Sequence, residues 1–344
     1  MAAWRKLNRE VLQQDESDLF LLGEASGEWE LREVISSYLH QARGVHVQPE
    51  QVIVGAGNDY LLMLLSRILG MDHKIAMESP TYRHAWDVFQ KLGYDCRTIS
   101  MDKSGMNVER LKESGADIAY VMPSHQYPLG IVMPIKRRQE LLRWAEEKPG
   151  RYLIEDDYDS EFRYIGKPIP SLQGNDRSGC VIYLGTFSKS IAPAIRISYL
   201  VLPESLLETY RRINNVFSST VSRLDQRVLQ LFMEKGYYER HLNKMRALYK
   251  SKHDVLMSEI RKMHGVRQVL GDHSGVHILL QMDGHLTEQE LIQRARQAGI
   301  KVYPLSEYCV NEADYPPTVI LGYATLSEEE IREGVRLLAQ AWLA

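Results

Sequence analysis

Residues 180–196 read CVIYLGTFSKSIAPAIR. The first five are a continuous apolar run, the pattern of a strand covered on both faces. The run then breaks into Thr186, Ser188, Lys189 and Ser190, with Arg196 seven residues beyond the lysine. A lysine at the end of a buried strand is costly unless its charge is compensated or removed. What compensates Lys189 depends on what lies around it. Between residues 51 and 203 the segments QVIVGA, KIAMES, DCRTIS, DIAYVMP, RYLIEDD and ISYLVLP repeat the strand pattern. Amphipathic stretches at 60–69, 84–92 and 134–146 separate several of them. Apolar strands alternating with helices predict an α/β fold, a largely parallel sheet with helices on both faces.

After Pro203 the pattern changes. Residues 204–216, 223–235 and 237–263 read as helices, followed by VHILLQM, a helix over 288–298, KVYP, TVILGYA and a closing helix from Glu328. This predicts a smaller α+β unit made of residues 1–24 and 223–344, beside a large domain over 25–222. The 344 residues are 44% hydrophobic and 25% charged, ordinary values for a globular chain with a sizeable core. A net charge of −3 gives no reason to expect nucleic-acid or anionic-membrane binding by this chain. The three cysteines, Cys96, Cys180 and Cys309, are too scattered for a zinc site or a disulfide framework, so no metal is expected. No signal peptide opens the chain and no apolar run approaches the roughly 18 residues of a membrane span, so a cytoplasmic protein is expected.

Ligands of an open parallel sheet gather beyond the carboxyl ends of its strands. QVIVGAGNDYLL is a strand, a glycine turn and a helix start, where the amides of Ala56, Gly57 and Asn58 suit a phosphate or simply close a βα turn. In YLIEDDYDSEFRY, alternation puts Asp156 and Tyr158 on one face and Asp157 on the other. A carboxylate there suits a protonated pyridine nitrogen, and the tyrosine a ring substituent; a cap or a salt bridge is the plainer use. PSHQYPLG is a turn able to present Gln126 or Tyr127, and in ESPTYRHAW Tyr82 is placed to stack on an aromatic ligand or to fill the core. Thr186, Ser188 and Arg196 suit a phosphate dianion. Together these residues match a phosphorylated pyridine aldehyde held by Lys189 as a Schiff base. A lysine on an ordinary nucleotide phosphate is the competing reading, but neither G-x-x-x-x-G-K-[ST] nor G-x-G-x-x-G occurs.

The sequence resembles the fold-type-I pyridoxal-phosphate (PLP) aminotransferases, and more closely the aminotransferase-like domain of MocR/GabR-family bacterial transcription regulators. PSHQYPLG, IEDDYDSEFRY, YLGTFSKSIAP, SRLDQ with GYYERHLNKMRALY, and SGVHILL carry the resemblance, which runs from about Trp4 to the end. It implies Lys189 as the Schiff-base lysine, Asp156 on the pyridine nitrogen, Tyr158 on the ring hydroxyl and Tyr82 on the ring face. It places the phosphate among Ala56, Gly57, Asn58, Thr186, Ser188 and Arg196. It also implies a homodimer and a small amine or amino-acid-like effector, with DNA read only by an N-terminal winged helix-turn-helix. There is no room for that domain before Trp4, so the chain is expected to be the effector domain alone. Family members usually read Arg-Leu-Gly-Phe where this chain has Ile320-Leu321-Gly322-Tyr323, losing the arginine that grips a substrate carboxylate. Arg83 and His84 are the replacement candidates for effector contact. Leu22 stands where a tyrosine commonly reaches the partner's phosphate, and Ser198 replaces a usual glycine. Effector sensing with little transamination is therefore expected; a free-standing aminotransferase is the alternative.

Overall fold

The computed structural model describes residues 2–13, 17–164, 169–214, 218–311 and 315–343. Eight strands form the main sheet: β1 (Val52–Gly55), β2 (Lys74–Ser79), β3 (Asp95–Asp102), β4 (Gly105–Met106), β5 (Ile118–Val121), β6 (Tyr152–Asp157), β7 (Val181–Thr186) and β8 (Ser198–Val201). Their order is β1-β8-β7-β6-β5-β2-β3-β4. β3, β2, β5, β6 and β7 run parallel, and β8 is antiparallel to both β7 and β1. The largely parallel α/β expectation holds. The reversal at β8 has a simple cause. Its connection from β7 contains only the short helix Phe187–Ser190 and a 3-10 turn at Pro193–Ile195, too little chain for a crossover back to a parallel strand.

Both faces of the sheet are covered. On one, Ile154, Ile182 and Leu184 pack with Leu61, Leu65, Trp86 and Phe89 from helices Asn58–Leu69 and Arg83–Lys91. On the other, Leu153 and Val181 pack with Leu141 and Trp144 of helix Ile135–Glu146. The second sheet orders β11 (Tyr303–Pro304), β12 (Thr318–Gly322), β10 (His277–Met282) and β9 (Val266–Leu270), all antiparallel. It has its own core, where Ile278, Leu280 and Val319 meet Leu256, Leu291 and Leu338 from helices Tyr237–Ile260, Glu288–Gln297 and Glu328–Leu343. Helices Ala2–Gln13 and Arg223–Glu234, which the sequence division groups with the smaller unit, contribute Leu7, Val11, Leu229 and Phe232 to a core shared with Val54, Tyr183 and Tyr199 of the main sheet. Among the described residues no helix is long and apolar enough to cross a membrane.

Because β1 and the parallel strands point the same way, the ends of β1, β2, β5, β6 and β7 share one edge with the start of β8. The polar interruptions of the sequence fall along that edge.

Candidate cofactor and effector site

A cavity of about 240 Å³ opens at this edge. Its wall includes Asn58, Tyr82, Tyr127, Asp156, Tyr158, Thr186, Ser188, Lys189 and Arg196, all from the strand ends and connections that the sequence singles out. Met122, Asp59, His84 and Ser198 complete it.

The two adjacent aspartates separate as strand alternation requires. Asp156 faces the cavity and accepts a hydrogen bond from the Tyr120 hydroxyl through Oδ2, while its buried Oδ1 has no partner among the described residues. Burial pushes its carboxyl up to about 7; Tyr120 opposes this, and Asp157 and Asp159 add to it. Asp157 faces away, held by Arg43 Nε at 2.7 Å and the Tyr183 hydroxyl at 2.5 Å. One is an acid with an unmet acceptor beside a cavity. The other is half of a buried ion pair.

Elsewhere the same cavity wall gathers hydroxyls and one cation. Thr186 caps its short helix, with Oγ1 accepting from Ser188 N at 3.1 Å and from Ser198 Oγ at 2.8 Å. Ser198 is thus part of the wall, a role its sequence context did not suggest. The Ser188 hydroxyl and Asn58 Oδ1 are buried and have no partners among the described residues. Arg196 takes a left-handed backbone at φ 48° and lays its guanidinium against Gly57, where a Cβ would come within 2.3 Å of Nη2. Gly57 itself sits at φ 89°, a backbone conformation that favours glycine. The amides of Ala56 and Gly57 donate to Thr220 Oγ1 at 3.0 Å and to Gly55 O at 2.9 Å, just before the helix start at Asn58. Asp59, unnoticed in the sequence, bridges His84 Nε2 at 2.7 Å and Arg196 Nη2 at 3.3 Å. His84 thus lies beside Arg196 through their shared contact with Asp59. Arg83 lines neither this cavity nor the next and sits 3.7 Å from Asp87.

Lys189 is exposed rather than buried, so no charge has been taken out of water. It stands with Tyr127 at the junction of the first cavity and a larger one of about 1150 Å³. Beyond that junction the wall includes His277, Tyr303, Tyr308 and Ile320. Ile320 lies on β12 opposite Leu279 of β10 and Tyr303 of β11 and is almost fully buried. The Tyr127 hydroxyl donates to that of Tyr308 at 3.0 Å, and the two rings meet edge to face with Tyr82 on the other side. Gln126 does not face the cavity. Its amide braces the turn against Pro80 O and Leu129 N, so only Tyr127 of that pair is presented. Leu22 is exposed and lines neither cavity.

The model of the family described as aminotransferase class I and II matches residues 1–338. The HTH-type transcriptional regulator YdeL of Bacillus subtilis is 42% identical over 99% of this chain and 73% of its own length. The chain belongs to the class I and II aminotransferases and, within them, to the aminotransferase-like domains of MocR-type regulators. The probable rhizopine catabolism regulatory protein MocR of Rhizobium meliloti is 32% identical across all of this chain and 70% of its own. In architecture the chain is similar to kynurenine aminotransferase of Pyrococcus horikoshii, solved with PMP, with a TM-score of 0.86, 26% identity and 99% and 86% of the two chains covered.

Fold and family imply PLP as the cofactor. The residues present fit it. The cavity sets an unpartnered carboxylate oxygen on Asp156, an unpartnered hydroxyl on Ser188 and the Arg196 cation around the amine of Lys189. A cationic ring nitrogen, a phosphate and an aldehyde are what that donor set lacks.

Proposed function

We propose that this chain is the PLP-binding, effector-sensing domain of a cytoplasmic bacterial MocR/GabR-type transcription regulator. The observation that carries the proposal is a cofactor cradle with its polar set intact beside a second cavity with no fork for a carboxylate. PLP supplies an aldehyde that condenses reversibly with primary amines and a ring that withdraws electrons from the adjoining carbon. Lys189 is the amine that holds it. Asp156 lies at the ring nitrogen, Tyr158 at the ring oxygen and Tyr82 against the ring face. Thr186, Ser188, Arg196 and the helix start at Asn58 take the phosphate.

The same placement limits turnover. Among the described residues, the cations lining the larger cavity are Lys189 and Lys301, and Lys301 lies 4.7 Å above the Tyr303 ring. Burial, with His125 and Lys189 nearby, pushes His277 down to about 3, so it stays neutral. An arginine fork gives a carboxylate two parallel charge-assisted hydrogen bonds, and Ile320 gives none. Losing them costs about 2–5 kcal/mol of carboxylate binding. The domain therefore admits a small amine or amino-acid-like effector without holding an α-carboxylate for efficient proton transfer. Effector binding shifts the population of domain conformations, and a DNA-binding domain reads the shift.

Rapid-mixing absorbance of the PLP-loaded protein against common L- and D-amino acids and simple amines tests this. Reversible spectral shifts without release of 2-oxo acid are expected. Fast stoichiometric release of 2-oxo acid from an ordinary L-amino acid would make the chain an aminotransferase instead.

A further inference from the structure

A phenol both donates and accepts, so Tyr158 at the ring oxygen needs something to decide which way its hydrogen points. Behind it lie His125 and Asp159, each 2% exposed. His125 Nδ1 is 2.8 Å from Asp159 Oδ2 and 3.1 Å from the Tyr158 hydroxyl. The imidazole lies 25° from parallel to the phenol, with centroids 6.0 Å apart. A carboxylate only accepts, so an Nδ1 this close to Asp159 must carry the hydrogen. That N–H is then shared with the Tyr158 oxygen, which accepts from it. The phenolic hydrogen has no second protein partner among the described residues and is left for the cavity.

We propose that His125 and Asp159 are a positioning pair that fixes Tyr158 as a hydrogen-bond donor toward the ring oxygen of PLP. The inference rests on the cofactor reading above and adds the residues that set the proton's direction.

The surroundings hold the pair in this one arrangement. A Cβ on Gly275 would fall 2.2 Å from His125 Cε1 and 2.9 Å from Asp159 Oδ2, so the SGVHILL segment closes directly over them. A Cβ on Gly130 would lie 3.4 Å from His125 Nε2. His277, with its ring 5.4 Å from that of His125, is held to Pro128 O at 3.0 Å. Burial first, then Asp159, Tyr127, Asp156 and Asp157, raise the Tyr158 phenol well above its usual range and keep it protonated. His125 Nε2 and Asp159 Oδ1 have no partners among the described residues, so Nδ1 is the atom through which the pair meets Tyr158.

The test has two parts. In the cofactor-free wild type, imidazole ¹⁵N shifts should show His125 as the Nδ1–H tautomer; the Nε2–H tautomer would overturn the proposal. In the PLP-loaded protein, the pH midpoint of the cofactor's absorbance should rise by about one unit in Tyr158→Phe, the equivalent of one lost charge-assisted hydrogen bond. Asp159→Asn should produce a similar rise, because an amide no longer compels Nδ1 to carry the hydrogen, and a bare Nδ1 accepts from the phenol and draws its hydrogen away from the cavity. His125→Asn, whose amide nitrogen replaces Nδ1–H, should stay near the wild-type midpoint. A shift in Tyr158→Phe without one in Asp159→Asn would overturn the role of the pair alone. An unshifted Tyr158→Phe would instead overturn the placement of Tyr158 at the ring, a failure of the proposed function.

Discussion

Asp156 and Asp157 are chemically identical neighbours with opposite predicted phenotypes. Removing Asp156 takes away the acceptor for the ring nitrogen, so Asp156→Ala should weaken PLP retention by one to two decades, from roughly 1.5–3 kcal/mol. Asp157→Ala leaves Arg43 buried against Tyr183 without its counter-ion and should lower stability by about 3–5 kcal/mol while the loaded spectrum stays unchanged. Equilibrium dialysis and denaturant melts separate the two. Ile320 supplies a third test at this scale. Ile320→Arg should raise the rate of reaction with L-amino acids in single-turnover spectroscopy by ten-fold or more, and an unchanged rate would show that the missing fork is not what limits turnover. Strand alternation made Asp156 legible before any coordinates, because period two is a local property. Asp59, Tyr120, Tyr308 and Ser198 were not legible as site residues. Their contacts join segments far apart in the chain, such as Tyr120 with Asp156 and Ser198 with Thr186.

At the level of elements, the alternation of apolar strands with amphipathic helices was enough to specify a covered, largely parallel sheet and which strand ends carry chemistry. The antiparallel turn of β8 was not legible, because ISYLV has the same apolar character in either direction and only the short connection from β7 decides. β9 escaped notice for a related reason. It is an edge strand, mostly outside the core, and carries little alternation. The turn before β10 offers a clean perturbation. Gly275 has φ 77°, and a Cβ there meets His125 at 2.2 Å. Gly275→Ala should cost about 1–3 kcal/mol from backbone conformation, with a further penalty from displacing the imidazole, measurable as a lowered melting temperature.

Across the whole molecule, four carboxyls, the buried Glu78, Glu155 and Asp156 and the half-buried Glu161, are each raised to about 7, with desolvation the largest cause in every case. Groups whose folded pKa is raised hold protons that the unfolded chain releases, so their contribution to stability falls as pH rises from about 4 to about 7. Denaturant melts of the cofactor-free protein should show that decline, and Asp156→Asn should flatten it. The chain also exposes Leu12, Phe20, Leu21 and Leu22 near one end. Such exposed apolar side chains are consistent with a homodimer, the commonest closed assembly. Sedimentation should find a dimer at micromolar concentration, and a monomer with PLP fully bound would count against it.

The proposed cofactor site depends on Lys189 as the residue that carries PLP. Borohydride reduction of the PLP-loaded protein followed by peptide mapping reads this directly. The prediction is one pyridoxyl group, on Lys189, in the peptide that contains Ser188 and Ser190. Label on any other lysine, or none on a loaded sample, would contradict it.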